Sequence, residues 1–245
     1  MNGKNMVQKT VDVLFYLSGK RWGASLTEIA KNLRFPKTTV FDILKTLLQN
    51  DFVHYVNVRE KTYGIGAQIY AVGMTYFESS TVFSIAVPYL MFLADKYKKT
   101  AFISKRHNDR ASCVYKYASP YAKAPTSGIG GQKMLHSTAI GKCYLAFDTA
   151  AAVLIDTIEL VPCTPYTITS RERLKEHIRE IKTLGYSYEK RESFETMACL
   201  AAPLFDHGSM VGTISMTGFY DAEEDFSVQG NEMAQIANII SEQLK

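Results

Sequence analysis

A proline, a lysine and two threonines open the stretch FPKTTVFDILKTLLQNDFV, residues 35–53. Pro36 suits the first turn of a helix, because a proline there sacrifices no hydrogen bond. Val40, Ile43, Leu44, Leu47 and Leu48 repeat at i, i+3, i+4, i+7 and i+8 and make an inward stripe. Lys37, Thr38, Thr39, Phe41, Asp42 and Lys45 fall outside that stripe, most of them on the leading turns. A helix N-terminus carries partial positive charge and unpaired amides, so it favours phosphate. Two hydroxyls and a lysine at that end add phosphate or base contacts. The chemistry on offer is recognition of a polyanion.

Groups suited to catalysis are scattered. Cys199 with His136, His177 or His207 would make a thiol nucleophile pair. His207 falls in the turn Asp206-His207-Gly208-Ser209, His177 on a polar helix face and His136 at a helix start. Gly141-Lys142 matches the end of a phosphate loop, but that motif needs glycine five positions before Gly141, where His136 stands. GIGGQK, Gly128 to Lys133, does not complete a dinucleotide fingerprint. No histidine–carboxylate spacing suggests a metal. Cys113, Cys143, Cys163 and Cys199 never form C-x-x-C, which argues against a zinc ribbon or a disulfide scaffold. The expectation is a non-enzyme with no metal and no cofactor; a cysteine-dependent enzyme is the weaker alternative.

The 245 residues leave room for one large domain or two small ones. No stretch approaches the ~20 apolar residues of a membrane span. MNGKNMVQKT lacks the apolar core of a secretion signal. A cytoplasmic protein with reduced thiols and no membrane partner is expected. Charge is unevenly placed. Residues 1–66 carry ten Lys/Arg against five Asp/Glu, a balance of +5, whereas the remainder carries 18 against 19, a balance of −1. A small basic domain joined to a neutral one suits a polyanion partner.

The elements around the KTT run follow from pattern. Val7, Val11, Leu14, Phe15 and Leu17 form a first apolar stripe, ending near Ser18-Gly19. Ser25-Leu26-Thr27-Glu28 fits a capping box that opens a short helix with Leu26, Ile29, Ala30 and Leu33 inward. The helix from Pro36 comes next. Phe52 to Val56 and Lys61 to Ile65 read as two strands, with Arg59 and Lys61 near the tip between them. Two short helices followed by a hairpin make a helix-turn-helix with a wing.

LTEIAKNLRFPKTTVFDILKTLLQNDFV, followed by KTYGIG, resembles the winged helix-turn-helix of the IclR family of bacterial transcription regulators. It departs at Phe41 and Asp42, where family members often carry a polar or aromatic residue and then a basic one. An acid there would repel phosphate; it accepts from a cytosine amino group or pairs with Lys45 at i, i+3. The resemblance places DNA contacts on Lys37, Thr38, Thr39, Phe41, Lys45, Arg59 and Lys61.

Beyond it, IGAQIYAVGMTYFESS carries Ile69, Val72, Tyr76 and Phe77 at helical spacing, and SIAVPYLMFLADKY makes a second apolar helix with Pro88 near its start. Strand-like runs at Ala101–Ser104 and Ala111–Tyr115 flank the polar turn at residues 107–110. A Pro-, Gly- and Ser-rich stretch runs to Gly131, and Ser137 or Thr138 then caps a helix. Ile168 to Lys182 reads as a helix with a Thr169–Glu172 capping box and Gly185 after its end. Strands follow at Tyr186–Arg191, Met197–Phe205 and Gly212–Thr217, then a closing amphipathic helix. Antiparallel strands mixed with helices give an α+β fold.

LHSTAIGK, LGYSYEKRE and CLAAPLFDHGSMVGTISMTG resemble the IclR effector domain, which is GAF-like. The expected organisation is a winged helix-turn-helix at 1–66, a linker helix at 67–81 that contributes to a dimer, and a GAF-like effector-binding domain at 82–245. The family's pocket maps to Gly130, Met134, Leu135 and Ala139 on one side and Cys199, Ser215 and Thr217 on the other. Period-two alternation puts Ser215 with Thr217 and Cys199 with Ala201, so a thiol and two hydroxyls share a face if the strands pair. The implied protein is a homodimer or homotetramer on a palindromic operator in duplex DNA, modulated by a small polar or acidic metabolite, with a carboxylate as one candidate. A ligand sensor acting mainly through a protein partner is the alternative.

Overall fold

The computed structural model describes residues 5–245, and the chain divides into two units, Met1–Ser80 and Thr81–Lys245. The first contains α1 (Met6–Ser18), β1 (Ala24–Ser25), α2 (Leu26–Leu33), α3 (Lys37–Gln49), β2 (Val53–Asn57), β3 (Thr62–Ile65) and α4 (Ala67–Ser79). Its core gathers Val13 and Leu17 of α1, Ala24 of β1, Ile29 of α2, Val40 and Leu44 of α3, Val53 of β2 and Tyr63 of β3; α4 adds no buried residue.

The first apolar stripe is not one face. Val13 and Leu17 are buried, while Val7, Val11 and Phe15 are exposed. Two positions separate Val11 from Val13, which is about 200° around a helix, so the two sets point apart. The α2 cap is half of the expected box. Ser25 Oγ accepts from the Glu28 amide at 3.2 Å, but the Glu28 carboxylate turns to Lys20 Nζ at 2.9 Å and the Tyr16 hydroxyl at 2.8 Å. The wing sheet has three strands in the order β1-β3-β2. β1 is too short to show any alternation, so the sequence reading missed it. At the wing tip Asn57 Oδ1 accepts from the amides of Arg59 (2.9 Å) and Glu60 (3.2 Å).

The second unit contains α5 (Thr81–Tyr97), β4 (Thr100–His107), β5 (Arg110–Ala118), β6 (Gln132–Met134), α6 (Ala139–Phe147), α7 (Thr149–Ala152), a 3₁₀ turn (Val153–Asp156), α8 (Arg171–Leu184), β7 (Ser187–Lys190), β8 (Met197–Asp206), β9 (Ser209–Phe219) and α9 (Phe226–Gln243). Its strands form one antiparallel sheet in the order β6-β5-β4-β9-β8-β7. Phe102, Cys113 and Ala201 face α6 and α8. Ala101, Met216 and Leu200 are cross-strand neighbours of opposite parity, buried on the other face, where α5 and α9 pack. The α+β architecture expected from the strand and helix pattern is the one observed.

Three local expectations change. Pro88 stands in the middle of α5, not near its start; its ring nitrogen cannot donate to the Ser84 carbonyl, and the residue sits on the solvent side. Ser170, not Thr169, caps α8, accepting from the Arg173 amide. β6 lies just past a Gly-rich stretch and pairs with β5. Gly185 ends α8 at φ 78°, as expected. Gly141 is required for a different reason: a Cβ there would lie 2.3 Å from Leu135 Cα, so α6 can lie against the segment before it only without a side chain. Among the described residues no single helix is long and apolar enough to cross a membrane.

Candidate nucleic-acid interface and candidate ligand cavity

Pro36 stands just outside α3 with extended backbone, and no side chain caps the helix. The amides of its first turn have no partner within the helix and are open to an incoming acceptor. Lys37, Thr38, Phe41, Asp42 and Lys45 are exposed and Thr39 is half-buried. Arg59 and Lys61 are exposed at the wing, with Lys61 in the left-handed turn conformation at φ 48°. A shallow groove on the same side is lined by Leu26, Lys37, Thr38, Phe41 and Asp42. Leu26, expected inside, is only half-buried and contributes its outer edge to that groove. Of the two fates considered for Asp42, pairing with Lys45 is not observed: no ion pair joins them among the described residues.

In the second unit a cavity of about 340 Å³ opens between the start of α6, the turn after β7 and the sheet. Ala139, Cys199 and Thr217 line it. β8 and β9 pair with Cys199 opposite Thr217, and Cys199 Sγ lies 3.0 Å from Thr217 Oγ1. Ser215 shares their face, but it sits level with Ala201, where α6 covers the strands, and does not reach the cavity. Its hydroxyl is buried with no hydrogen-bond partner among the described residues. Gly130, Met134 and Leu135 are also off the cavity wall. Gly130 is an exposed loop glycine, Met134 meets Cys163 Sγ at 3.9 Å, and Leu135 is in the core. The residue of β6 that lines the cavity is Lys133. A strand turns alternate side chains to opposite faces, so choosing Met134 over Lys133 was a one-residue slip across the sheet.

Glu189 is the acid of the wall, and the sequence reading did not name it. It is fully buried; its carboxylate accepts from the Glu192 amide (2.8 Å) and the Ser193 hydroxyl (3.0 Å). Burial pushes its carboxyl above the usual range, and the bond from the Glu192 amide opposes this. Burial likewise pushes up the Cys113 and Cys199 thiols, while the Lys133 ammonium pulls both down. Lys133 has no ion-pair partner among the described residues.

Behind the wall, the wholly buried Lys142 of α6 donates to the Glu192 carboxylate. Burial pushes its ammonium down and Glu192 opposes this. Glu192 also accepts from the Ile168 amide at 3.3 Å through its carboxylate and from Thr167 Oγ1 at 2.7 Å through its carbonyl. His177, expected on a solvent face, is partly buried against Tyr188, with Nδ1 3.2 Å from Lys142 Nζ. Burial, and then the charge of Lys142, lower its imidazole from 6.5 to about 3. It is therefore neutral at pH 7, and its Nδ1 accepts from the lysine. His136 donates Nε2–H to the Val161 carbonyl at 2.9 Å, and His207 meets Asp206 at 2.6 Å. None of the three histidines pairs with Cys199 among the described residues.

The IclR helix-turn-helix domain family matches residues 6–57, and the family described as bacterial transcriptional regulator IclR C-terminal matches residues 74–242. The chain belongs to the IclR family. The HTH-type transcriptional repressor AllR of Escherichia coli strain K12 is 27% identical over 245 residues, 98% of this chain and 90% of that protein. An IclR transcriptional regulator from Alicyclobacillus acidocaldarius superposes with TM-score 0.88 at 24% identity, covering 99% of this chain and 100% of that one. An IclR homolog from Microbacterium hydrocarbonoxydans, complexed with 4-hydroxybenzoate, gives TM-score 0.84 at 14% identity over 98% and 99% of the two chains. The IclR C-terminal match contains every residue of the cavity wall and of the Lys142–Glu192 pair behind it.

Two outcomes follow from the buried network. Lys142→Met leaves Glu192 charged and unpaired in the interior and is expected to cost about 3–5 kcal/mol in urea denaturation, whereas adding Glu192→Leu should recover most of the loss. Below pH 6.5 the unfolded chain takes up a proton that folded His177 refuses down to about pH 3. The stability an uncharged His177 confers is thus full above pH 6.5 and falls as pH drops. Between pH 7 and pH 5 the parent should lose about 1–2 kcal/mol more than His177→Gln.

Proposed function

We propose that this IclR-family regulator reads duplex DNA through the leading turns of α3 and the wing, as a homodimer or homotetramer on a palindromic operator, and that a small carboxylate in the cavity modulates its operator affinity. The observation that carries the first half is the uncapped front of α3. Open amides, the Lys37 ammonium and the Thr38 and Thr39 hydroxyls converge there, on a unit whose sequence carries the excess positive charge. The exposed apolar side chains of α1 (Val7, Phe15) and α4 (Tyr70, Val72) supply surfaces for pairing two copies.

The second half rests on the cavity wall. Its exposed surface is mostly apolar, and among the described residues Lys133 is its one lysine or arginine, with Glu189 as its one acid. A space whose exposed surface is mostly apolar, with hydroxyls and an unpaired lysine on its wall, suits an anion with an apolar body. The 4-hydroxybenzoate held by the Microbacterium hydrocarbonoxydans homolog is a ring bearing a carboxylate, the same chemistry. Thr217 and Cys199, 3.0 Å apart, add hydrogen-bonding groups to the wall. A differential affinity of about 1–3 kcal/mol between DNA-bound and free protein would suffice for a useful switch.

Replacing Lys37, Thr38 and Thr39 together with alanine should lower affinity for the upstream region of its own gene at least tenfold with unchanged circular dichroism. The slope of log affinity against log salt should flatten by about one for each phosphate the variant no longer neutralises. Retained affinity would refute the assignment, and weak, salt-insensitive binding by the parent would favour action through a protein partner. In a thermal-shift screen of small carboxylates, a ligand at about 100 times its Kd adds about 2.7 kcal/mol. Lys133→Gln should abolish the shift, and Ser215→Ala should leave it intact.

A further inference from the structure

Two side chains on the outer face of α3 are unsuited to phosphate. Phe41 is 52% exposed. Asp42 is exposed, and its carboxylate has neither an ion-pair partner nor a hydrogen bond among the described residues; only its backbone carbonyl is used, by Thr46. Helical spacing sets them in one ridge. Phe41 follows Lys37 by four positions and Thr38 by three; Lys45 follows Phe41 by four and Asp42 by three. The ridge therefore runs cation and hydroxyl, then phenyl and carboxylate, then cation. Its two ends suit the phosphates bordering a groove, and its centre suits the base edges between them.

A carboxylate only accepts hydrogen bonds. In the major groove the base donors are the amino groups of cytosine and adenine. Adenine N6 lies beside the acceptor N7, which repels a carboxylate, whereas cytosine N4 has no neighbouring acceptor on its own base. A phenyl ring finds its apolar partner in the thymine C5-methyl group. Leu26 borders the same groove beside Phe41 and widens the apolar surface. We propose that each operator half-site presents a cytosine to Asp42 and a neighbouring thymine to Phe41, so that these two residues set sequence preference while Lys37 and Lys45 set affinity. This rests on α3 lying in the major groove, as proposed above.

The test is selection of bound sequences from a pool of random duplexes with the full chain, followed by binding to the selected site. The parent should enrich half-sites with one invariant cytosine and one invariant thymine. Replacing that thymine by deoxyuridine, which lacks the methyl, should weaken the parent about fourfold and leave Phe41→Ala unaffected. Asp42→Asn should shift the selected base from cytosine to adenine, because a carboxamide bonds N6 and N7 together. Both side chains are exposed, and unchanged thermal unfolding of the variants checks that they fold. Variants that select the parent's sequences unchanged would overturn the proposal while leaving DNA binding in place. A parent that enriches nothing would overturn the major-groove reading and this assignment with it.

Discussion

One buried ion pair ties together two separate segments of the second unit. Lys142 and Glu192 are 50 residues apart in sequence and meet in an interior from which the lysine is wholly excluded from water. Such a pair adds little net stability, since desolvation offsets most of the attraction, but neither partner tolerates loss of the other. Its effect is therefore positional. Lys142 sits on the first turn of α6, three residues after Ala139, and Glu192 sits in the turn after β7, beside Ser193 and Phe194. The pair clamps these two segments together, and they are two of the cavity's walls. The Glu192 amide then reaches back to Glu189, so the same turn also orients the buried acid of the wall.

The first unit solves a different problem. Its few elements must bury one face completely and leave the other chemically active. α3 does this without a cap: Val40, Ile43, Leu44 and Leu47 anchor it from inside, so its front needs no side-chain bond to stay folded. Helix stability there comes from packing more than from local hydrogen bonding. The unused amides are the consequence, and they lie on the same turn as the Thr38 and Thr39 hydroxyls. A capping residue at position 36 would stabilise the helix end by about 0.5–2 kcal/mol and would occupy one of those donors.

The reading head was legible in the sequence because its signals are local: the Ser25 cap, the i, i+3, i+4 stripe of α3 and the alternation of the wing. What escaped had no local signal. β1 is two residues long. β6 follows glycines and is recognisable only by its pairing with β5. In the cavity, Ala139, Cys199 and Thr217 came from matching family words, and Met134 came from the same source with the wrong strand parity. Glu189 and Lys142 stood inside recognised words, YEKRE and LHSTAIGK, but nothing along the chain says that a lysine in one word pairs with a glutamate in the other. His177 was placed on a polar face by periodicity, and it is the approach of Lys142 and Tyr188 that takes it out of water.

A ligand shifts an equilibrium only as far as it distinguishes the states involved. The cavity wall draws on Pro125, Thr126 and Ser127 from the loop before β6, Thr138 and Ala139 from the start of α6, and Ser193, Phe194 and Thr196 from the turn after β7. These segments are separated in sequence; the Lys142–Glu192 pair and the Ser193 hydroxyl, which donates to the Ser137 carbonyl at 2.9 Å, join the second to the third. A molecule that touches all three adds interactions that exist only while they keep this arrangement. Phe194 has the most to gain: it lines the cavity and is still 62% exposed, so coverage by an apolar ligand would remove ring surface from water. The α6 and β7 sides are already fixed by the Lys142–Glu192 pair. The loop side is held instead by the pairing of β6 with β5 and by the Gly130 amide, which donates to the Cys113 carbonyl at 2.8 Å, and its strand presents Lys133 to the cavity. A molecule bound between them would therefore tie the side held by sheet pairing to the side held by the ion pair.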